Sequence, residues 1–168
     1  NPGRRELSEA VPWRAARRRG HNRRFAPSKA LSSMSRFVAA YFAALATLAV
    51  LDFLWLGFIA KGFVQAQIGP LLLERPNWTP AVLFYLLYIV GVLVFAVAPG
   101  LEAGSWARAL WLGALFGFFA YATYDFTNLA TLKGWTTALL VVHVAWGTFV
   151  PGATALAGYA AARLLPAS

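Results

Sequence analysis

Residues 37–60 read FVAAYFAALATLAVLDFLWLGFIA, 24 residues with a single formal charge, Asp52. Coiled as an α-helix at roughly 1.5 Å per residue, this run is about 36 Å long, enough to cross a hydrocarbon core of about 30 Å. The run is continuously apolar rather than alternating, which excludes a β-barrel strand. It is also longer than the roughly 7–15 apolar residues of a secretion signal. Three more runs follow. Residues 81–98 carry no charge, residues 109–132 carry Asp125, and residues 135–162 carry no formal charge but include His143 and Pro151. The expected fold is therefore all-α, a four-transmembrane-helix bundle with helices near 37–60, 81–98, 109–132 and 135–162. The second run is short and borrows a turn from its flanks. The fourth is long, and a kink or tilt at Pro151 would absorb the excess, because proline cannot donate to the carbonyl of Gly147.

Composition agrees. Of 168 residues, 60% are hydrophobic and 12% charged, whereas soluble domains carry about 25% charged residues. Cysteine is absent, which excludes disulfides and thiolate metal sites. The net charge of +9 is concentrated at one end: residues 1–33 hold nine Lys/Arg against two Asp/Glu, and residues 34–168 hold six against four. Residues 1–33 show no helical or strand period and are expected to be a disordered basic tail or upstream sequence from a misplaced start, with Met34 as the initiator of the domain at 34–168. A basic arm on anionic headgroups is the alternative. A nucleic-acid partner is not expected, because no nucleic-acid-binding motif accompanies the Arg17–Arg19 and Arg23–Arg24 clusters.

The connections are short except for residues 61–80, KGFVQAQIGPLLLERPNWTP, which suggest an interfacial piece. The stretch 99–108 and the pair Lys133–Gly134 read as tight turns. Trp78, Trp106 and Trp135 each precede or open an apolar run, where aromatic side chains anchor at the interface. With four spans both termini share a side. Arg36, Arg108 and Arg163 then face Lys61, Arg75 and Lys133, a tie that only the basic tail breaks toward a cytoplasmic N-terminus. Ala109, Gly113 and Gly117 place small residues on one helix face, and Gly158 and Ala162 do the same further on. Such faces let backbones approach closely. Packing within the chain is the first reading, and a homodimer through Gly113 and Gly117 is the alternative.

A charged residue at a helix centre costs about 2.5–3.5 kcal/mol on insertion scales, so intramembrane ionisable groups face the bundle interior and mark function by default. Counting at roughly 1.5 Å per residue, Asp52 lies about 12 Å, Asp125 about 10 Å and His143 about 12 Å from the same bundle end. Tyr85 and Tyr88 occupy the first turns of the second helix at that end. Helical spacing adds Tyr121 and Asn128 beside Asp125, Trp146 beside His143 and Trp55 beside Asp52. Polar groups within aromatic walls are the composition of a small-molecule pocket. Asp125, Asp52 and His143 are the candidate catalytic groups, through proton transfer between imidazole and carboxylate. Tyr85, Tyr88, Tyr121, Asn128, Trp55 and Trp146 are the candidate ligand-binding residues. The structural alternative is that these groups hydrogen-bond one another to hold the bundle, with His143 satisfying Asp52 or Asp125. A metal site from Asp52, Asp125 and His143 lacks diagnostic spacing, and neither metal nor cofactor is expected.

The run YATYDFTNLATLKGW from Tyr121 to Trp135, with HVAWGT from His143 to Thr148, Asp52–Trp55 and Phe84–Tyr88, resembles a bacterial family of small predicted membrane proteins, domain-of-unknown-function family 2177. The resemblance covers about Met34 to Leu165. It implies a multi-pass four-helix protein of the bacterial cytoplasmic (inner) membrane and implies no reaction. Members often carry Asp where this chain has His143, which implies a hydrogen-bonding or proton-handling position. The expected function is binding, with chemical modification as an extension, of a small apolar or lipid-like molecule at the intramembrane polar site. A non-enzymatic assembly subunit and a small proton-coupled carrier are the alternatives, the second weakened by the lack of an internal repeat.

Overall fold

The computed structural model describes residues 29–165. Its helices are α1 (Lys29–Leu54), α2 (Lys61–Ile68), α3 (Trp78–Val92), α4 (Ala98–Glu102), α5 (Trp106–Thr131) and α6 (Thr137–Leu164). A π-helical turn, Trp55–Ile59, extends α1, and a second, Leu93–Val97, joins α3 to α4. No strand occurs among the described residues. Three stretches are long and apolar enough to cross a membrane: Ser33–Ile59, Trp78–Glu102 and Thr137–Leu164. Helix α5 has the length, 26 residues, but Asp125, Asn128 and several Tyr, Thr and Gly residues dilute its apolar character.

Several boundaries differ from those expected. Helix α1 begins at Lys29, inside the stretch assigned to the tail, because Lys-Ala-Leu-Ser-Ser-Met contains no helix breaker. The expectation for residues 1–28 lies outside the described residues. The second long helix reaches from Trp78 to Glu102, so part of the 99–108 stretch read as a turn is helical. Pro99 falls inside this continuous helix, directly after the π turn, and has no N–H to give to the preceding turn. Half of the 61–80 connection is also helical, as α2 and a 3-10 turn at Gly69–Leu71.

Local chemistry fixes these ends. The side chains of Asn77, Ser105 and Thr136 accept hydrogen bonds from the backbone N–H groups of Thr79, Arg108 and Leu139, capping α3, α5 and α6. Gly104 (φ 62°) and Gly134 (φ 84°) make the two turns that demand left-handed backbone.

Helix α6 is the centre of the bundle, packed on α5 along one face and on α1 along another. Ala40, Ala44 and Leu48 recur every fourth residue on the buried stripe of α1, and the Ala40 carbonyl lies 3.2 Å from where a Gly158 side chain would begin. The α5–α6 seam is tighter. A Cβ on Gly117 would lie 2.0 Å from the Gly147 carbonyl oxygen, and one on Gly113 would lie 2.6 Å from that of Pro151. Proline at 151 frees the Gly147 carbonyl, and Gly117 gives it room. Helix α6 continues through Pro151 without a break. The Gly113/Gly117 face is thus packed on α6 within the chain.

The backbone of the second long helix approaches α5 along Leu93–Glu102, whereas α3 reaches α5 through side chains, as Tyr88 does on Phe116 with ring centroids 5.2 Å apart. Helix α3 leans on α1, where Tyr41 donates to the Leu86 carbonyl at 3.2 Å. The backbones of α3 and α5 therefore diverge toward Trp78, leaving a wedge between them.

Candidate functional site

The wedge holds a cavity of about 560 Å³. Helix α1 contributes Asp52, and the π turn contributes Trp55 and Leu56. Helix α3 lines one wall with Ala81, Phe84, Tyr85 and Tyr88, and α5 lines the other with Ala120, Tyr121 and Tyr124. Helix α6 closes the back with Leu139, His143 and Trp146, while Val64 and Ile68 of α2 cover one end. The covering helix is tied down by a short hydrogen bond between Thr136 and Gln67.

Asp52 continues the buried stripe of Ala40, Ala44 and Leu48, and only 7% of it is exposed. Its two carboxyl oxygens have different donors: Tyr85 Oη gives a hydrogen bond to Oδ2 at 3.0 Å and Trp146 Nε1 to Oδ1 at 3.3 Å. The donor indole is itself stacked on Trp55, with centroids 4.3 Å apart and planes 10° apart. π-helical turns often occur at functional sites, and this one sets Trp55 and Leu56, adjacent residues, into the same cavity.

Asp125 is fully buried, and its Oδ2 lies 2.7 Å from Nδ1 of His143. Asp125 does not line the cavity; His143 stands between them. With Nδ1 committed to Asp125, Nε2 is the nitrogen left for the cavity. Tyr121 holds the ring in place edge-on at 4.8 Å. Tyr121 in turn lies over Gly147, where a Cβ would come within 2.0 Å of the ring.

Of the residues expected at the site, Asp52, Trp55, Tyr85, Tyr88, Tyr121, His143 and Trp146 come together around the cavity. Asp125 reaches it only through His143. Asn128 does not reach it; it sits one turn beyond Asp125, and its side-chain nitrogen is buried without a hydrogen-bond partner. Trp135, expected as an interface anchor, instead lines the cavity, while Trp78 and Trp106 remain exposed. Phe84 and Tyr124 were not singled out in the sequence, because each neighbours a selected residue but carries no helical spacing signal of its own. Tyr88 Oη is buried without a hydrogen-bond partner in the protein, whereas Trp135 Nε1 faces the Asp125 carboxyl. Among the described residues no three His, Asp or Glu side chains converge as metal ligands would.

The sequence profile described as "Predicted membrane protein (DUF2177)" matches residues 37–160, which contain every residue of this site. The chain belongs to the DUF2177 family. No curated protein and no solved structure matches it at a significant level. This DUF2177 protein is thus a membrane protein with several helices long and apolar enough to span. Large side chains on its outer surface, such as Phe58, Leu87 and Trp111, are fully compatible with lipid contact.

Proposed function

We propose that this DUF2177 protein crosses the bacterial cytoplasmic membrane four times and binds one small apolar or lipid-like molecule in the α3–α5 wedge. The observation that carries the proposal is the cavity itself: aromatic walls around a few polar atoms, including the unpartnered Tyr88 hydroxyl. A fourth span is supported by α5, which at 26 residues is about 39 Å long. Its one formal charge, Asp125, and its glycines Gly113 and Gly117 are buried against the protein, and the exposed Thr127 and Thr131 hydroxyls are satisfied by carbonyls of their own helix. Divergence of α3 from α5 gives an apolar molecule a sideways path from the bilayer.

Mass spectrometry of protein extracted in mild detergent tests this reading. The wild type should retain an apolar molecule, and an Ala81→Phe variant, which fills the cavity from α3, should lose it while remaining folded. A wild type as empty as the variant refutes the reading.

One observation favours chemical modification as an extension of binding. The Asp125–His143 pair orients an imidazole whose second nitrogen is left for the cavity, the arrangement of a general acid or base held by a buried carboxylate. His143→Gln should then leave the bound molecule in place but chemically unaltered.

A further inference from the structure

The cavity has an uneven charge inventory. Asp52 lies in its wall, and no Lys or Arg side chain lines it. Among the described residues the only ion pair is His143–Asp125, so Asp52 has no cationic partner. Each carboxyl oxygen of Asp52 has a single hydrogen-bond partner, Tyr85 on one and Trp146 on the other, so each has a lone pair left for a further donor or a cation. His143 is the only basic side chain among the lining residues, and its Nδ1 is already held by Asp125. A buried carboxylate in a membrane bundle pairs with another group when it can.

The cavity that holds this acid is lined by aromatic side chains, Trp55, Tyr85, Tyr121, Tyr124, Trp135 and Trp146 among them. Aromatic faces attract cations through their quadrupoles, most strongly when the cation is desolvated. An anionic headgroup would meet a carboxylate and no fixed positive charge. A neutral molecule would leave Asp52 without a counter-charge.

Resting on the proposed binding role, we infer that the occupant of the cavity is a lipophilic organic cation, an alkyl-bearing ammonium group seated against Asp52 inside the aromatic walls. The alkyl part lies along the apolar wall between α3 and α5. Two sources supply such a group: the ammonium headgroup of a bilayer lipid, or a free lipophilic amine.

Matched decyl probes test the inference on the full chain in a maltoside detergent, which brings no ammonium or phosphate of its own. Binding of decyltrimethylammonium, decanol and decyl sulfate is followed below their micelle concentrations by tryptophan fluorescence, since three of the lining residues are tryptophans. The cation should bind at least about tenfold more tightly than the alcohol or the sulfate. Asp52→Asn should remove that preference and leave decanol binding unchanged. Should Asp52→Asn not fold, Trp55→Leu removes an aromatic face without removing a hydrogen bond and should weaken the cation more than the alcohol. Decylphosphocholine binding as tightly as decyltrimethylammonium would assign the ammonium to a lipid headgroup; much weaker binding would assign it to a free amine. Decanol binding as tightly as the cation overturns the inference while leaving the binding role intact. Failure of every probe to bind overturns both.

Discussion

Gly147→Ala joins the packing of the bundle to the geometry of its site. The added Cβ would lie 2.0 Å from Tyr121 Cγ and 2.2 Å from Cδ1, whereas ordinary contact begins near 3.4 Å, so ring and helix must separate by about 1.4 Å. The contact is with the root of the ring, and the α5 and α6 backbones are already in close approach at Gly117. Overpacking of this kind costs about 1–3 kcal/mol. Tyr121→Ala alone removes a large side chain and costs about 3–5 kcal/mol by comparison with other aromatic truncations. In the double variant the alanine methyl enters space the ring has vacated, so Gly147→Ala should there cost about nothing or stabilise. Reversible unfolding of the four proteins in mixed micelles, followed by circular dichroism, gives the cycle. A coupling below about 0.5 kcal/mol, the limit for independent sites, would refute the contact. Because Tyr121 also holds His143 edge-on, Gly147→Ala should disturb ligand binding as well.

His143→Leu leaves Asp125 buried without its partner and should destabilise by about 3 kcal/mol or more; combining it with Asp125→Leu should recover a good part of that loss, and strictly additive melting data would contradict the pair. Gln67→Ala should loosen α2 alone, raising its amide exchange, whereas Thr136→Val should also uncap α6 and cost about 1 kcal/mol more; equal effects would mean that the Thr136 cap carries nothing. Single cysteines at Lys61 and Lys133 should react with an impermeant thiol reagent from one side of the membrane and one at Glu102 from the other; Lys61 and Lys133 on opposite sides would exclude four spans.

Much of the site was legible because its polar residues are rare in an apolar background. Asp52, Asp125 and His143 stand out from the sequence, and counting along helices of alternating direction brings them to one level. Their pairing was not legible. Nothing in the sequence says that His143 binds Asp125 while Tyr85 and Trp146 bind Asp52, since each choice depends on rotation of one helix against another. That Asn128 stays outside the cavity wall was not legible for the same reason. It shares a stripe with Asp125, whose carboxyl meets His143 of α6 rather than the cavity. The place of Trp135 on the cavity wall was not legible because a tryptophan at a helix start suits an interface equally well.

The sequence by itself determined that the chain is helical and membrane-embedded. Hydropathy summed over a run of roughly 20 residues is a local property, and backbone hydrogen bonds in lipid leave only helices for such continuous runs. It also announced the small-residue faces of the third run and of the end of the fourth. Tertiary structure alone decided what those faces meet: Gly113 and Gly117 are consumed by the carbonyls of α6. It alone decided that α3 parts from α5 to open the wedge, and that Trp55 and Leu56, at the start of the π turn Trp55–Ile59, line it. Depth in a membrane follows from position along one helix, but a cavity exists only in the relation between several. That relation is set by the closest backbone approaches in the bundle.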